Sequence, residues 1–127
     1  MKILVDSSIW IDYFRSGIKS GKLDMYIEQN LICINELILA ELIPFLKVKK
    51  QYRVIKLLNT ITEVPLSINW QKVIDFQTTC LLHGINKVSI PDLVILDNVM
   101  QNDLVLFTLD KNFSLINSYF NFELLEA

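Results

Sequence analysis

Two short apolar runs, each closed by an aspartate, frame the chain: Ile3-Leu4-Val5 before Asp6, and Leu104 to Leu109 before Asp110. An unbroken apolar run reads as a strand covered on both faces, the kind a parallel sheet needs. Leu31-Ile32-Cys33-Ile34 and Thr62-Glu63-Val64 are further β-compatible stretches, the second stopped by Pro65. Between these runs apolar positions recur at helical spacing. The spacing predicts helices over 8–15, 23–30, from Glu36 towards Lys50, from Trp70 to Gly84, and over 93–102.

Residues that cap helices stand at the predicted starts: Ser7 or Ser8, then Asn35, Asn69, and Ser89 with Asp92 as its capping-box partner. Gly17 and Gly21 bracket a turn, and Gly84 ends a helix. Pro44 is expected to kink or interrupt the helix that begins at Glu36. The buried stripe of the helix after Asn69 is expected to be Trp70, Val73, Ile74, Cys80 and Leu81. In the segment that carries Lys47 to Arg53 and Lys56, Ile55, Leu57, Leu58 and Ile61 are expected to face inward. The apolar stretch from Ser114 to Ala127 is expected to complete the sheet or an interface.

Strands alternating with helices argue for an α/β fold with a parallel sheet and right-handed crossovers, and 127 residues suffice for one domain, residues 1–127. Parallel strands put their carboxyl ends on one edge, where open α/β sheets build ligand sites. Asp6 and Asp110 then point to a common mouth. Asp92, in the first turn of the helix before the second aspartate-closed strand, looks into that mouth. Glu41 is a lone carboxylate on an otherwise apolar helix, one turn from Leu37 and Phe45, and joins them from there.

Composition narrows the chemistry. A formal net charge of −2 gives no global attraction to phosphate backbones, so nucleic-acid contact needs a local patch. Lys47-Val48-Lys49-Lys50-Gln51-Tyr52-Arg53 with Lys56 is the one basic cluster, read either as a solvated helix face or as such a patch. Cys33 and Cys80 lack metal or disulfide spacing and read as free thiols in a reducing, cytoplasmic setting. His83 reads as a helix-end residue contacting free carbonyls. No secretory signal is expected, and no apolar run approaches the roughly 20 residues of a membrane span.

Four neighbouring carboxylates repel one another and need divalent cations to stay ionised. Oxygen-only ligation suits Mg²⁺ or Mn²⁺, since no His or Cys joins the set. Carboxylate-held ions of this kind serve phosphodiester hydrolysis.

At these residues the sequence resembles the PIN-domain family, and within it the VapC-type toxins of bacterial toxin–antitoxin pairs. The motifs are Ile3-Leu4-Val5-Asp6-Ser7-Ser8-Ile9, Leu39-Ala40-Glu41-Leu42, Ile90-Pro91-Asp92-Leu93-Val94-Ile95 and Leu106-Phe107-Thr108-Leu109-Asp110-Lys111-Asn112-Phe113. They stand in the family's order and span nearly the whole chain. The resemblance implies a three-layer α/β/α fold around a mostly parallel sheet. It further implies a Mg²⁺- or Mn²⁺-dependent endoribonuclease, held inactive by a cognate antitoxin and usually a homodimer. It carries the catalytic, metal-holding site onto Asp6, Glu41, Asp92 and Asp110, with supporting hydroxyls at Ser8 or Thr108. The chain departs from the family pattern at Ser7, where threonine is frequent, at Asn112, where aspartate is common, and at Asp97, where a small residue is usual. Asp97 is a candidate outer group, and a helix-start dipole role accounts for Glu36.

Two other classes are compatible with an aspartate after the first strand. A phosphatase of the haloacid-dehalogenase type, or a receiver-like domain phosphorylated on aspartate, would use Asp6, but Ser8 stands where the phosphatase needs a second acid. A catalytically silent module would keep the fold for binding, with four like charges serving no purpose. For the toxin reading, the antitoxin is expected to dock an apolar segment near the short helices from Ile9 to Asn30, with a basic side chain at the acids.

Overall fold

The computed structural model describes residues 1–126, with side chains described as far as Leu125. The elements run β1 (Ile3–Val5), α1 (Ser7–Arg15), α2 (Lys22–Glu28), β2 (Ile32–Ile34), α3 (Glu36–Val48), α4 (Tyr52–Leu58), β3 (Thr62–Glu63), α5 (Trp70–Leu82), α6 (Ile90–Gln101), β4 (Val105–Thr108), α7 (Lys111–Asn117) and β5 (Glu123–Glu126). Among the described residues the strands form one sheet in the order β3-β2-β1-β4-β5, with every neighbouring pair parallel. β1, β2 and β4 are buried throughout, which requires helices on both faces and makes the three-layer α/β/α arrangement.

The chain steps outward from β1 through β2 to β3, then crosses back to β4 and β5 on the other side of β1. Right-handed crossovers in opposite directions send α1–α4 to one face and α5–α7 to the other. The reversal lies between β1 and β4, whose register pairs Val5 with Phe107. A crevice therefore opens beyond the ends of these two strands, and Asp6 and Asp110 follow them directly.

The predicted caps form where three-residue spacing placed them. The Asn35 side chain accepts from the Ile38 amide, Asn69 from Lys72, and Ser89 and Asp92 make a reciprocal capping box. Asn35 also joins a buried polar chain: its Nδ2 donates to Asn98 Oδ1 at 3.0 Å, and Asn98 Nδ2 donates to the Pro65 carbonyl at 2.9 Å. Asn35→Ala removes a cap and strands the Asn98 acceptor, so it is expected to destabilise the fold by about 3 kcal/mol. Urea melts should show a lower midpoint at an unchanged slope; a midpoint like that of the wild type would show that the chain carries little stability.

Three expectations change. α3 runs through Pro44 without interruption: the carbonyl that loses its donor belongs to Ala40, on the exposed side of the helix. In α5 the buried stripe is Val73, Phe76 and Cys80, which meets α6, while Trp70, Ile74 and Leu81 are more than half exposed. Leu58 is buried from α4, but Leu57 is exposed. The stretch from Ser114 begins inside α7, a helix of seven residues too short to show periodicity, and β5 then completes the sheet. Ala127 lies outside the described residues.

A candidate carboxylate centre

Asp6 sits at the N-cap position of α1 and is 5% exposed. Its Oδ2 accepts two hydroxyl protons, from Ser8 Oγ at 2.9 Å and Thr108 Oγ1 at 2.8 Å. Each hydroxyl in turn accepts a backbone proton: Ser8 from the Leu109 amide at 3.0 Å, Thr108 from the Asp110 amide at 2.9 Å. With both hydroxyl protons committed to Asp6, the 3.3 Å approach of Ser8 to Thr108 is a juxtaposition. The network bolts the end of β1 to the end of β4 and holds Asp6 as an acceptor. Among the described residues no donor reaches its Oδ1. The expectation that Ser7 or Ser8 caps α1 is not met: Asp6 holds the N-cap position, Ser8 is drawn to Asp6 and the β4 end, and Ser7 to Glu41.

Asp110 caps α7 by accepting from the Asn112 amide at 2.9 Å. Asp92 turns one oxygen to the Ser89 amide at 3.0 Å within its capping box. Glu41 stands on the exposed side of α3. Burial lifts the Asp92 carboxyl above its ordinary value, Ser89 opposes this, and the charges of Asp110 and Asp6 raise it further. Glu41 is raised by desolvation, then by Asp6 and Asp92, with the Ser7 hydroxyl pulling the other way. Asp6 therefore acts on both Glu41 and Asp92, Asp92 on Glu41, and Asp110 on Asp92.

No cation offsets this charge: among the described residues none of the four is held in an ion pair with Lys or Arg. As they lie, no three of the described His, Cys, Asp or Glu side chains close on a single point. Each acid is turned in part to a hydroxyl or amide donor, Glu41 to the Ser7 hydroxyl. The donor set is nevertheless one that suits a hard divalent cation: all oxygen, unpaired and mutually repelling. Mg²⁺ in particular is usually held through one or two carboxylates with water and phosphate completing the shell.

The raised carboxyls have a consequence for stability. Between the ordinary carboxylate range and the raised value, the folded chain binds more protons than the unfolded one, so stability falls as pH rises through that window. With divalent ions chelated, the melting temperature should therefore fall across it, and less steeply in Glu41→Gln. An identical slope in the variant would show that Glu41 does not feel the cluster.

Other candidates find structural roles. Asp97 is buried, and its Oδ2 accepts from the Asn69 amide at 3.2 Å and from Gln101 Nε2 at 2.7 Å, tying the start of α5 to α6. Glu36 lies in the first turn of α3. His83 places Nδ1 2.8 Å from the Thr79 carbonyl, as expected of a helix end, and its ring lies over Tyr119. What the sequence reading did not reveal is a groove of about 380 Å³ between α1, α3 and α4, with a mostly apolar lining that includes Ile11, Phe14, Leu42 and Phe45. Glu41 lies along it, with Arg15 and Lys49 among its cations. The one available signal was apolar residues on exposed helix positions, which in sequence look like core.

A family model for the PIN domain matches residues 3–118. No curated protein matches the sequence. Among solved structures, the chain is similar to VapBC2 from Rickettsia felis, bound to a DNA fragment from its promoter, at 17% identity, with 98% of each chain covered and a TM-score of 0.76. A toxin–antitoxin complex from Klebsiella pneumoniae is 22% identical, with 89% of this chain and 91% of that one covered, and a TM-score of 0.65. VapC20 of Mycobacterium tuberculosis, a sarcin–ricin loop cleaving toxin, is 14% identical over 99% of this chain and 100% of its own, with a TM-score of 0.64. At these identities the likeness is one of fold.

Proposed function

The chain belongs to the PIN domain family, and from that premise we propose that it is a divalent-cation-dependent endoribonuclease, the toxin of a toxin–antitoxin pair. The observation that carries this reading is the centre at the β1–β4 switch: a buried Asp6 pinned by Ser8 and Thr108, with Glu41 and Asp92 in its field, Asp110 in that of Asp92, and, among the described residues, no Lys or Arg paired to them.

In this reading Asp6, Asp92 and Asp110 hold Mg²⁺ or Mn²⁺, and Glu41 ligates a second ion or orients the attacking water. The bound cation supplies Lewis acidity towards the phosphate and the water. The chain's residues do the rest. Ser8 and Thr108 fix the rotamer of Asp6 so that Oδ1 faces the crevice. Glu41, on α3 beside these acids, is placed to take the proton of the water that attacks phosphorus. The leaving ribose oxygen is protonated from solvent. VapC20 cleaves the sarcin–ricin loop, which supports an RNA substrate for this fold.

The structural relatives include toxin–antitoxin complexes, which supports an antitoxin partner here. The groove between α1, α3 and α4 suits an apolar segment of that partner, with a basic side chain reaching Glu41 and the acids behind it. A homodimer remains the family expectation. The test is to incubate the purified chain with total RNA, with and without the protein encoded beside it, and to sequence the new ends. Cleavage at defined sites that the neighbour suppresses supports the reading; RNA left intact in the presence of Mg²⁺ and Mn²⁺ counts against it.

A further inference from the structure

Among the described residues, five have positive φ: Gly17, Asn30, Lys50, Gly84 and Asp103, and each lies at or just past a helix end. Gly, Asn and Asp tolerate this left-handed conformation; a lysine does not do so readily. At Lys50 (φ 56°) the ending is a Schellman turn, with the Lys50 amide donating to the Lys47 carbonyl at 3.0 Å and the Gln51 amide to Leu46 at 2.9 Å. Glycine would make the same turn with less strain, yet here the chain carries a cation.

The surroundings share that charge. Between Glu41 and Glu63 there is no acidic residue, while Lys47, Lys49, Lys50, Arg53 and Lys56 all fall there, in a chain whose net charge is −2. All five are exposed, and among the described residues none is held in an ion pair. Two aromatic faces stand with them, Phe45 at 50% and Tyr52 at 63% exposure. Lys49 lines the same groove as Glu41, eight residues along α3 and its cap, about 12 Å at the helical rise. The cationic turn is thus continuous with the carboxylate centre.

We propose that the turn joining α3 to α4, with the exposed face of α4, is a backbone-binding arm for single-stranded RNA. It holds the phosphates on one side of the bond that is cut, and it rests on the ribonuclease reading. Cations interleaved with exposed aromatic side chains, with Lys49 Nζ 5.9 Å from the Phe45 ring centroid, suit a flexible strand with phosphates outside and bases free to stack. An acidic peptide would use the charges but not the rings. Lys50, Arg53 and Lys56 are positioning residues here, acting on substrate remote from the scissile bond.

The test uses the full chain with Asp6→Asn, which binds without cutting, and a fluorescent single-stranded oligouridylate. Adding Lys50→Gly, Arg53→Gln and Lys56→Gln should raise Kd about tenfold at moderate salt and flatten the plot of log affinity against log salt by about 2, since each lost phosphate contact on a single strand removes about 0.7. Lys50→Gly by itself should weaken RNA binding while the melting temperature holds or rises by about 2 °C, the opposite of what a structural role predicts. Equal affinity and equal salt slope in the triple variant, with the Asp6→Asn parent binding, overturns the arm and leaves the ribonuclease reading standing. If the parent binds no RNA and the wild type cuts none, both fall together. Loss of oligoglutamate binding with oligouridylate unaffected overturns the arm in favour of an acidic protein partner.

Discussion

Asp6→Asn is expected to lose RNA cleavage by about 10³-fold or more, roughly 4 kcal/mol of transition-state stabilisation, while the fold stands. Asp6 is almost fully buried, yet its surroundings provide neutral hydroxyls on one oxygen and leave the other open. An amide of the same shape keeps an acceptor for at least one hydroxyl and relieves the repulsion that Asp6 exerts on Glu41 and Asp92. Stability should consequently move by no more than about 1 kcal/mol in either direction, loss of charge-assisted hydrogen bonds offsetting relief of like charge. Single-turnover cleavage and a urea melt on the same sample separate the two effects. Retention of more than about a tenth of the activity by a well-folded variant would remove Asp6 from the centre of the mechanism.

Chelation of divalent cations should have an effect of similar size, and it reports on the four acids together. Burial lifts the Glu41 and Asp92 carboxyls, and the like charges beside them lift both further. A bound ion reverses that penalty, so adding Mg²⁺ or Mn²⁺ should both restore cleavage and stabilise the fold. At a hundredfold excess over Kd the gain is about 2.7 kcal/mol, which for a chain of this length is a rise in melting temperature on the order of 10 °C. The rise should shrink in Asp6→Asn and in Asp110→Asn even though neither variant is active. Cleavage that persists in EDTA, or a melting temperature blind to both ions, would refute metal dependence while leaving the fold untouched.

Much of the site was legible because its signals are local. An apolar run ending in an acid marks the end of a buried strand wherever it occurs, and it occurs at Asp6 and Asp110. The caps at Asn35, Asn69 and Ser89 are contacts across three residues, which spacing reveals. The buried face of α5 was misread because Trp70, Ile74 and Leu81 are as apolar as the residues that pack, and burial has no direction of its own. Pro44 misled for a related reason: its penalty depends on whether the freed carbonyl meets water.

What the sequence by itself determined, then, is the first four strands, the capped starts of α3, α5 and α6, and four candidate acids, together with the expectation that parallel strands deliver those acids to one edge. These follow from interactions within a few residues and from the chirality of the crossover. Only the tertiary structure decided that β1 lies against β4, which brings Thr108 to Asp6 across 102 positions and leaves Oδ1 free. It also decided which apolar side chains remain outside, that a groove runs from Glu41 to Lys49, and that Lys50 takes a left-handed turn. Each of these depends on how whole elements pack against one another, and packing is settled by complementary surfaces that no local stretch of sequence contains.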